Sequence, residues 1–67
     1  MNTIAELPTS LTPAEARRWL LGYLQHSGPL RMCDLPATPA GAAIQHAADA
    51  LTLAGVVRWS SPDVVRL

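Results

Sequence analysis

The chain has 67 residues, and its five arginines balance five acidic residues with no lysine present. This length allows one small domain. The single Cys33 excludes an intrachain disulfide, and with it a disulfide-stapled secreted miniprotein. No apolar run approaches the roughly 20 residues that a membrane span needs, and the N-terminus lacks the pattern of a signal peptide. We therefore expect a cytoplasmic protein without a membrane partner.

The first eleven residues show neither helical nor strand periodicity. We expect residues 1–11 to form a flexible N-terminal tail, with Leu7 or Leu11 resting on the folded part. Residues 12–67 are predicted to form a single domain, because no internal repeat or low-complexity segment divides them.

A first helix is predicted over residues 13–26. Thr12 can cap its first turn, Pro13 suits the first helical position, and Glu15 can complete a capping box. Gly28 is expected to end the helix in the left-handed conformation. The predicted buried face consists of Ala16, Trp19, Leu20, Tyr23, Leu24 and Ser27.

Two further helices are predicted before the next glycine. Residues 30–35 lie between two prolines, which leaves room for one and a half helical turns with Cys33 as a small buried side chain. A third helix is predicted over residues 39–54, capped by Thr38 and ended by Gly55. Its predicted buried face is Ala40, Ile44, Ala47, Ala48, Leu51 and Ala54, and its outer face is Ala42, Gln45, His46, Asp49 and Leu53.

After Gly55 the apolar period changes from helical to alternating, which predicts a hairpin of residues 56–60 and 64–67 around the turn at 61–63. Pairing Trp59 with Val65 and Val57 with Leu67 would place four apolar residues on one face. The same register sets Arg58 opposite Arg66 on the other face. These two arginines extend into solvent, are neutralised by Asp63 or another acid, or form a site for a phosphate or for the carboxylate of a partner.

Taken together, these elements predict an α+β fold, mostly helical, with a three-helix core and a C-terminal β-hairpin. The segment from Ile44 through Ala48 and Leu51 to Gly55 places apolar residues eleven, seven and four positions before the glycine, and Val56 and Val57 follow it. This pattern resembles the end of the third helix and the start of the wing in winged helix-turn-helix domains. The resemblance covers residues 12–67.

The resemblance implies DNA binding, with the third helix in the major groove and the wing on the flanking backbone. It assigns base contacts to Ala42, Gln45 and His46, with Asp49 further along, and phosphate contacts to Arg31 and to Arg58 or Arg66. The sequence departs from the family in one respect, because residues 39–55 contain no arginine or lysine.

No sequence motif for catalysis, a cofactor or a metal site is present, and we expect no enzymatic activity. Two functions remain open. The first is a small DNA-binding transcriptional regulator that acts as a dimer. The second is a protein–protein interaction module that keeps the shape, binds no DNA and uses exposed apolar residues such as Leu53. The predicted contact residues for DNA or a protein partner are Arg31, Ala42, Gln45, His46, Asp49, Leu53, Arg58 and Arg66.

Overall fold

The computed structural model describes residues 4–67. In chain order, the regular elements are α1 (Pro13–Ser27), β1 (Leu30–Arg31), α2 (Pro39–Leu53), β2 (Arg58–Ser61) and β3 (Val64–Arg66). Single 3-10 turns lie at Ile4–Glu6 and Met32–Asp34. The small α+β fold predicted from the sequence is confirmed. The described residues contain two α-helices instead of three, so a three-helix core is not found.

The N-terminal cap of α1 is the capping box that the sequence predicts. The Thr12 backbone N–H donates to Oε1 of Glu15 at 3.0 Å, and the Glu15 backbone N–H donates to Oγ1 of Thr12 at 3.2 Å. Two amide groups that the helix itself cannot pair are thereby satisfied. The hydrogen bond from the Thr12 backbone holds the pKa of Glu15 below its usual value, with a smaller contribution from the charge of Arg18.

The C-terminal end of α1 differs from the prediction in conformation. Gly28 has φ 87° and ψ −157°, which is an extended backbone with positive φ and not the left-handed helical conformation. The following Pro29 explains this, because a residue before proline is pushed towards an extended ψ. Among the predicted core positions of this helix, Trp19 and Tyr23 are only half-buried and Ser27 is exposed.

The segment after α1 was expected to be helical and is mostly not. Leu30 and Arg31 form β1, and only Met32–Asp34 make a helical turn, of the 3-10 type. Leu30 is fully buried and Arg31 is exposed, so the segment alternates as a strand does. Cys33, predicted to be buried, is exposed, because the tight turn leaves it on the outer side.

Helix α2 begins as predicted, with Oγ1 of Thr38 accepting a 3.3 Å hydrogen bond from the Gly41 N–H. It ends at Leu53, with Ala54 as the capping residue and Gly55 at φ 77°. Ala54 was predicted to be buried, but it is exposed because it lies beyond the end of the helix. The other predicted core residues of this helix are confirmed as buried: Ala40, Ile44, Ala47, Ala48 and Leu51.

The three strands form one antiparallel sheet in the order β1-β3-β2. The predicted pairing of Trp59 with Val65 is confirmed, and so is that of Arg58 with Arg66. A bulge between Trp59 and Ser61 shifts the register, so that Ser61 pairs with Val64. The predicted pairing of Val57 with Leu67 is not part of the sheet, and Leu67 is 43% exposed.

The core lies between the two helices and the inner face of the sheet. Its largest fully buried side chains are Leu20 from α1, Leu30 from β1, Ile44 from α2 and Val65 from β3. The N-terminal segment also contributes, since Leu7 and Leu11 pack against this cluster. The Ala40 N–H donates to the Thr9 carbonyl at 3.0 Å, which pairs a free amide at the start of α2. Residues 1–3 of the predicted tail lie outside the described residues.

Candidate nucleic-acid interface

Three arginines share the outer face of the sheet. Arg58 is paired directly with Arg66 across β2 and β3, and Arg31 is paired with Val64 across β1 and β3. Directly paired residues lie on the same face, and alternate residues of a strand do so as well. Since Val64 and Arg66 are alternate residues of β3, all three guanidinium groups belong to one face. We call Arg31, Arg58 and Arg66 the arginine face.

All three side chains of the arginine face are exposed. Within residues 4–67, none of them forms an ion pair with a carboxylate. The nearby Asp63 instead accepts a 3.1 Å hydrogen bond from Oγ of Ser61, and its backbone carbonyl accepts one of 2.7 Å from the Met32 N–H. The arginine face therefore groups three positive charges that form no ion pair in residues 4–67, with the exposed carboxylates of Asp34 and Asp63 on neighbouring turns.

The opposite face of the sheet points into the protein. Leu30 and Val65 are fully buried there, and Trp59 is half-buried beside them. The Trp59 indole Nε1 donates to Oγ1 of Thr52 in α2 at 2.8 Å. Helix α2 thus lies on the inner side of the sheet, and the arginine face is on the side turned away from α2.

The outer face of α2 carries the other predicted contact residues, and all of them are exposed: Ala42, Gln45, His46, Asp49 and Leu53. The only formal charge among these five is the carboxylate of Asp49. Leu53 is 92% exposed, the most exposed of the large apolar side chains that the structure describes. The structure therefore divides the eight predicted contact residues into two surfaces of different chemistry, on opposite sides of the sheet.

An apolar groove of about 470 Å³ runs between the start of α1 and the outer face of α2. Leu11, Pro13 and Arg17 form one wall, and Ala42, His46 and Ala50 belong to the other. Small alanine side chains leave this space open between the helices. The sequence pattern identified Ala42 and His46 as exposed but gave no signal that they border a groove.

Other candidate chemistry is sparse in the described residues. His26 is exposed in the last turn of α1, and His46 is exposed on α2. Residues 4–67 contain no group of three or more histidine, cysteine or acidic side chains placed to hold a metal ion. Neither of the helices in this range is long and apolar enough to cross a bilayer.

Sequence reasoning missed how Arg31 joins the other two arginines. Arg31 was placed at the start of a short helix, whereas β1 carries it alongside β3. The only sequence signal for this strand was an apolar residue followed by a charged one, Leu30 and Arg31. Two residues are too few to indicate a strand. Comparison of the chain with protein-family models, curated proteins and solved structures finds no match. The functional argument therefore depends on the residues themselves.

Proposed function

We propose that this chain is a winged-helix-like DNA-binding protein and that the arginine face contacts the phosphate backbone. Two features support the winged-helix assignment: a capped helix on each side of residues 28–38, and a C-terminal hairpin that follows Gly55 as the sequence resemblance implies. The fold allows many functions, so the argument for DNA comes from the site.

The observation that carries the proposal is the clustering of Arg31, Arg58 and Arg66 on one exposed face. Guanidinium groups bind phosphate oxygens through two parallel hydrogen bonds, and they remain charged at every physiological pH. Directly opposed like charges destabilise a strand pair. Phosphates bound to Arg58 and Arg66 would offset that repulsion.

The number of contacts bears on the oligomeric state. One copy offers only three cations on this face, and affinity for DNA rises with the number of phosphates neutralised. Two copies would double that number, so we propose that the DNA-bound form is a dimer. Transcriptional regulation would in addition require recognition of specific bases.

The direct test is fluorescence anisotropy of a labelled duplex at low salt. We expect the unmodified chain to bind, and Arg58→Gln combined with Arg66→Gln to abolish binding. Arg17→Gln combined with Arg18→Gln removes the same charge from α1 and serves as the matched control, which should still bind. If the unmodified chain does not bind even at low salt, DNA binding is rejected.

A second candidate function is a protein-interaction module, which the apolar groove and the 92% exposed Leu53 favour. Exposed apolar surface of this kind is typical of sites for protein partners. Under this alternative, the unmodified chain should bind no duplex at low salt, and Leu53→Asp should abolish binding to the protein partner, while Arg58→Gln should leave that binding unchanged. If the chain instead binds DNA, Arg58→Gln should reduce the affinity for a duplex more than Leu53→Asp does.

A further inference from the structure

The two candidate surfaces cannot both lie flat against one straight duplex. Trp59 belongs to the inner face of the sheet and is hydrogen-bonded to Thr52 of α2. Arg58 and Arg66 belong to the outer face, with the sheet between them and α2. A duplex seated on the arginines is therefore on the far side of the sheet from α2.

The charge on each surface decides which one the phosphates would meet. The exposed face of α2 has no cation between Pro39 and Leu53, and Asp49 would repel phosphates along the rim of a groove. The arginine face has three cations without a carboxylate partner in the described chain. Electrostatic attraction therefore favours the sheet over the helix.

The arginines lie at two levels of the outer face, because Arg58 is paired with Arg66 while Arg31 is paired with Val64, two residues along β3. Three adjacent strands are about 10 Å wide from first to last, because neighbouring strands lie about 4.8 Å apart. Diagonal neighbours on adjacent strands, such as Arg31 and Arg66, lie about 7–8 Å apart. The three side chains are therefore far enough apart to contact separate phosphates of a duplex backbone.

We propose that this protein binds duplex DNA through its phosphates alone, with the arginine face on the backbone and α2 outside the major groove. Binding then does not depend on base sequence, because phosphate contacts carry no sequence information. This inference rests on the proposed function and specifies its mode. It replaces the base contacts that the family resemblance assigned to α2.

The same face favours duplex over single-stranded DNA. Proteins that bind single strands use exposed aromatic side chains on which bases stack. In residues 4–67, Trp59 belongs to the inner face of the sheet, and Trp19 and Tyr23 stack on each other on α1 with ring centroids 5.2 Å apart. No aromatic side chain of the described residues lies among the three arginines.

The test is the salt dependence of the affinity for two duplexes of equal length and unrelated sequence. Six phosphate contacts in the dimer, three from each copy, predict a slope of log K against log salt of about −5.4, or a loss of about 1,800-fold between about 50 and about 200 mM salt. Arg58→Gln removes one contact from each copy and should reduce the slope to about −3.6. Arg18→Gln, the matched control on α1, should keep the slope of the unmodified chain.

Further measurements separate this mode from base recognition. We expect the two duplexes to bind with the same affinity within about a factor of two, whereas base readout costs at least about fivefold for each mismatched pair. Gln45→Ala should leave both affinities unchanged, and a single strand of either sequence should bind more weakly. Circular dichroism confirms that each variant is folded.

The outcomes distinguish the inference from the proposed function. Binding that prefers one duplex, or that is lost in Gln45→Ala while the slope stays the same, would overturn phosphate-only binding and keep DNA binding. Absence of binding to either duplex at low salt would overturn both. A slope that Arg58→Gln leaves unchanged would also overturn the inference, because the arginine face would then not be the contact surface.

Discussion

The Trp59 indole Nε1 donates a 2.8 Å hydrogen bond to Oγ1 of Thr52, and this hydroxyl donates a 2.7 Å hydrogen bond to the Ala48 carbonyl. The last turn of α2 is thereby connected to the first residues of β2. Thr52 both accepts and donates, so one hydroxyl satisfies the indole N–H and remains paired itself. This relay fixes the orientation of the hairpin and hence of the arginine face.

Replacing Thr52 with Val should therefore weaken the attachment of the hairpin. Valine has nearly the same shape but removes the acceptor for the indole, at a loss of about 1 kcal/mol in the free energy of unfolding. For a domain of this size that corresponds to a melting temperature lower by about 4–8 °C, measured by far-UV circular dichroism. Thr52→Ser keeps the hydroxyl and should retain most of the stability; equal loss in both variants would contradict the role of the relay.

Replacing Gly41 with Ala should destabilise the protein, although alanine is the better helix former. A Cβ at this position would overlap the backbone carbonyl oxygen of Pro36. Backbone cannot move aside as a side chain can. We therefore expect the free energy of unfolding to fall by about 1–3 kcal/mol, whereas glycine to alanine in a helix usually raises it by about 1 kcal/mol. Chemical denaturation measures the difference. A more stable Gly41→Ala protein would show that α2 does not approach Pro36 so closely.

Neutralising one arginine of the cross-strand pair should stabilise the protein while weakening DNA binding. Arg58 and Arg66 are directly paired and both exposed. Arg58→Gln removes a like-charge repulsion of about 0.5 kcal/mol, so the melting temperature should rise by about 2–4 °C at low salt. Added salt should shrink this gain by screening the charges. A variant that is less stable than the unmodified chain at every salt concentration would contradict the repulsion.

The capping box makes stability depend on pH through one identified carboxylate. The pKa of Glu15 is lowered chiefly by the hydrogen bond from the Thr12 backbone. Its contribution to stability is complete above the pKa of the unfolded chain and is lost as the pH falls through the lower pKa of the folded protein. Glu15→Gln should therefore flatten the acid part of a curve of unfolding free energy against pH. The same acid slope in the variant and the unmodified chain would assign the effect to other carboxylates.

The two long helices, α1 and α2, were the most predictable part of the fold, because their signals are local. Thr12, Pro13 and Glu15 lie within four positions of one another, and each acts on the backbone of the same turn. The hairpin register around Trp59 and Val65 was predictable for a similar reason, since burying one face permits few pairings. Both predictions needed only neighbouring residues and the apolar period.

The candidate site was less predictable, because it depends on contacts between distant segments. Each of these arginines was identified as a candidate phosphate contact, but the grouping of Arg31 with Arg66 requires β1 to pair with β3. The groove likewise depends on how closely α1 and α2 approach, which Gly41 and the alanines of α2 permit. Neither the grouping of the arginines nor the groove between the helices can be predicted from the spacing of apolar residues within one segment.

The sequence by itself determined where the two helices begin and which of their faces are buried, because capping hydrogen bonds and apolar spacing act within a few residues. Only the tertiary structure decided that Leu30 and Arg31 are a strand. Two residues have no intrinsic preference strong enough to choose a strand, and the choice comes from hydrogen bonds to a partner more than thirty positions away, Val64 and Val65. That pairing assembles the positive face on which the proposed function depends.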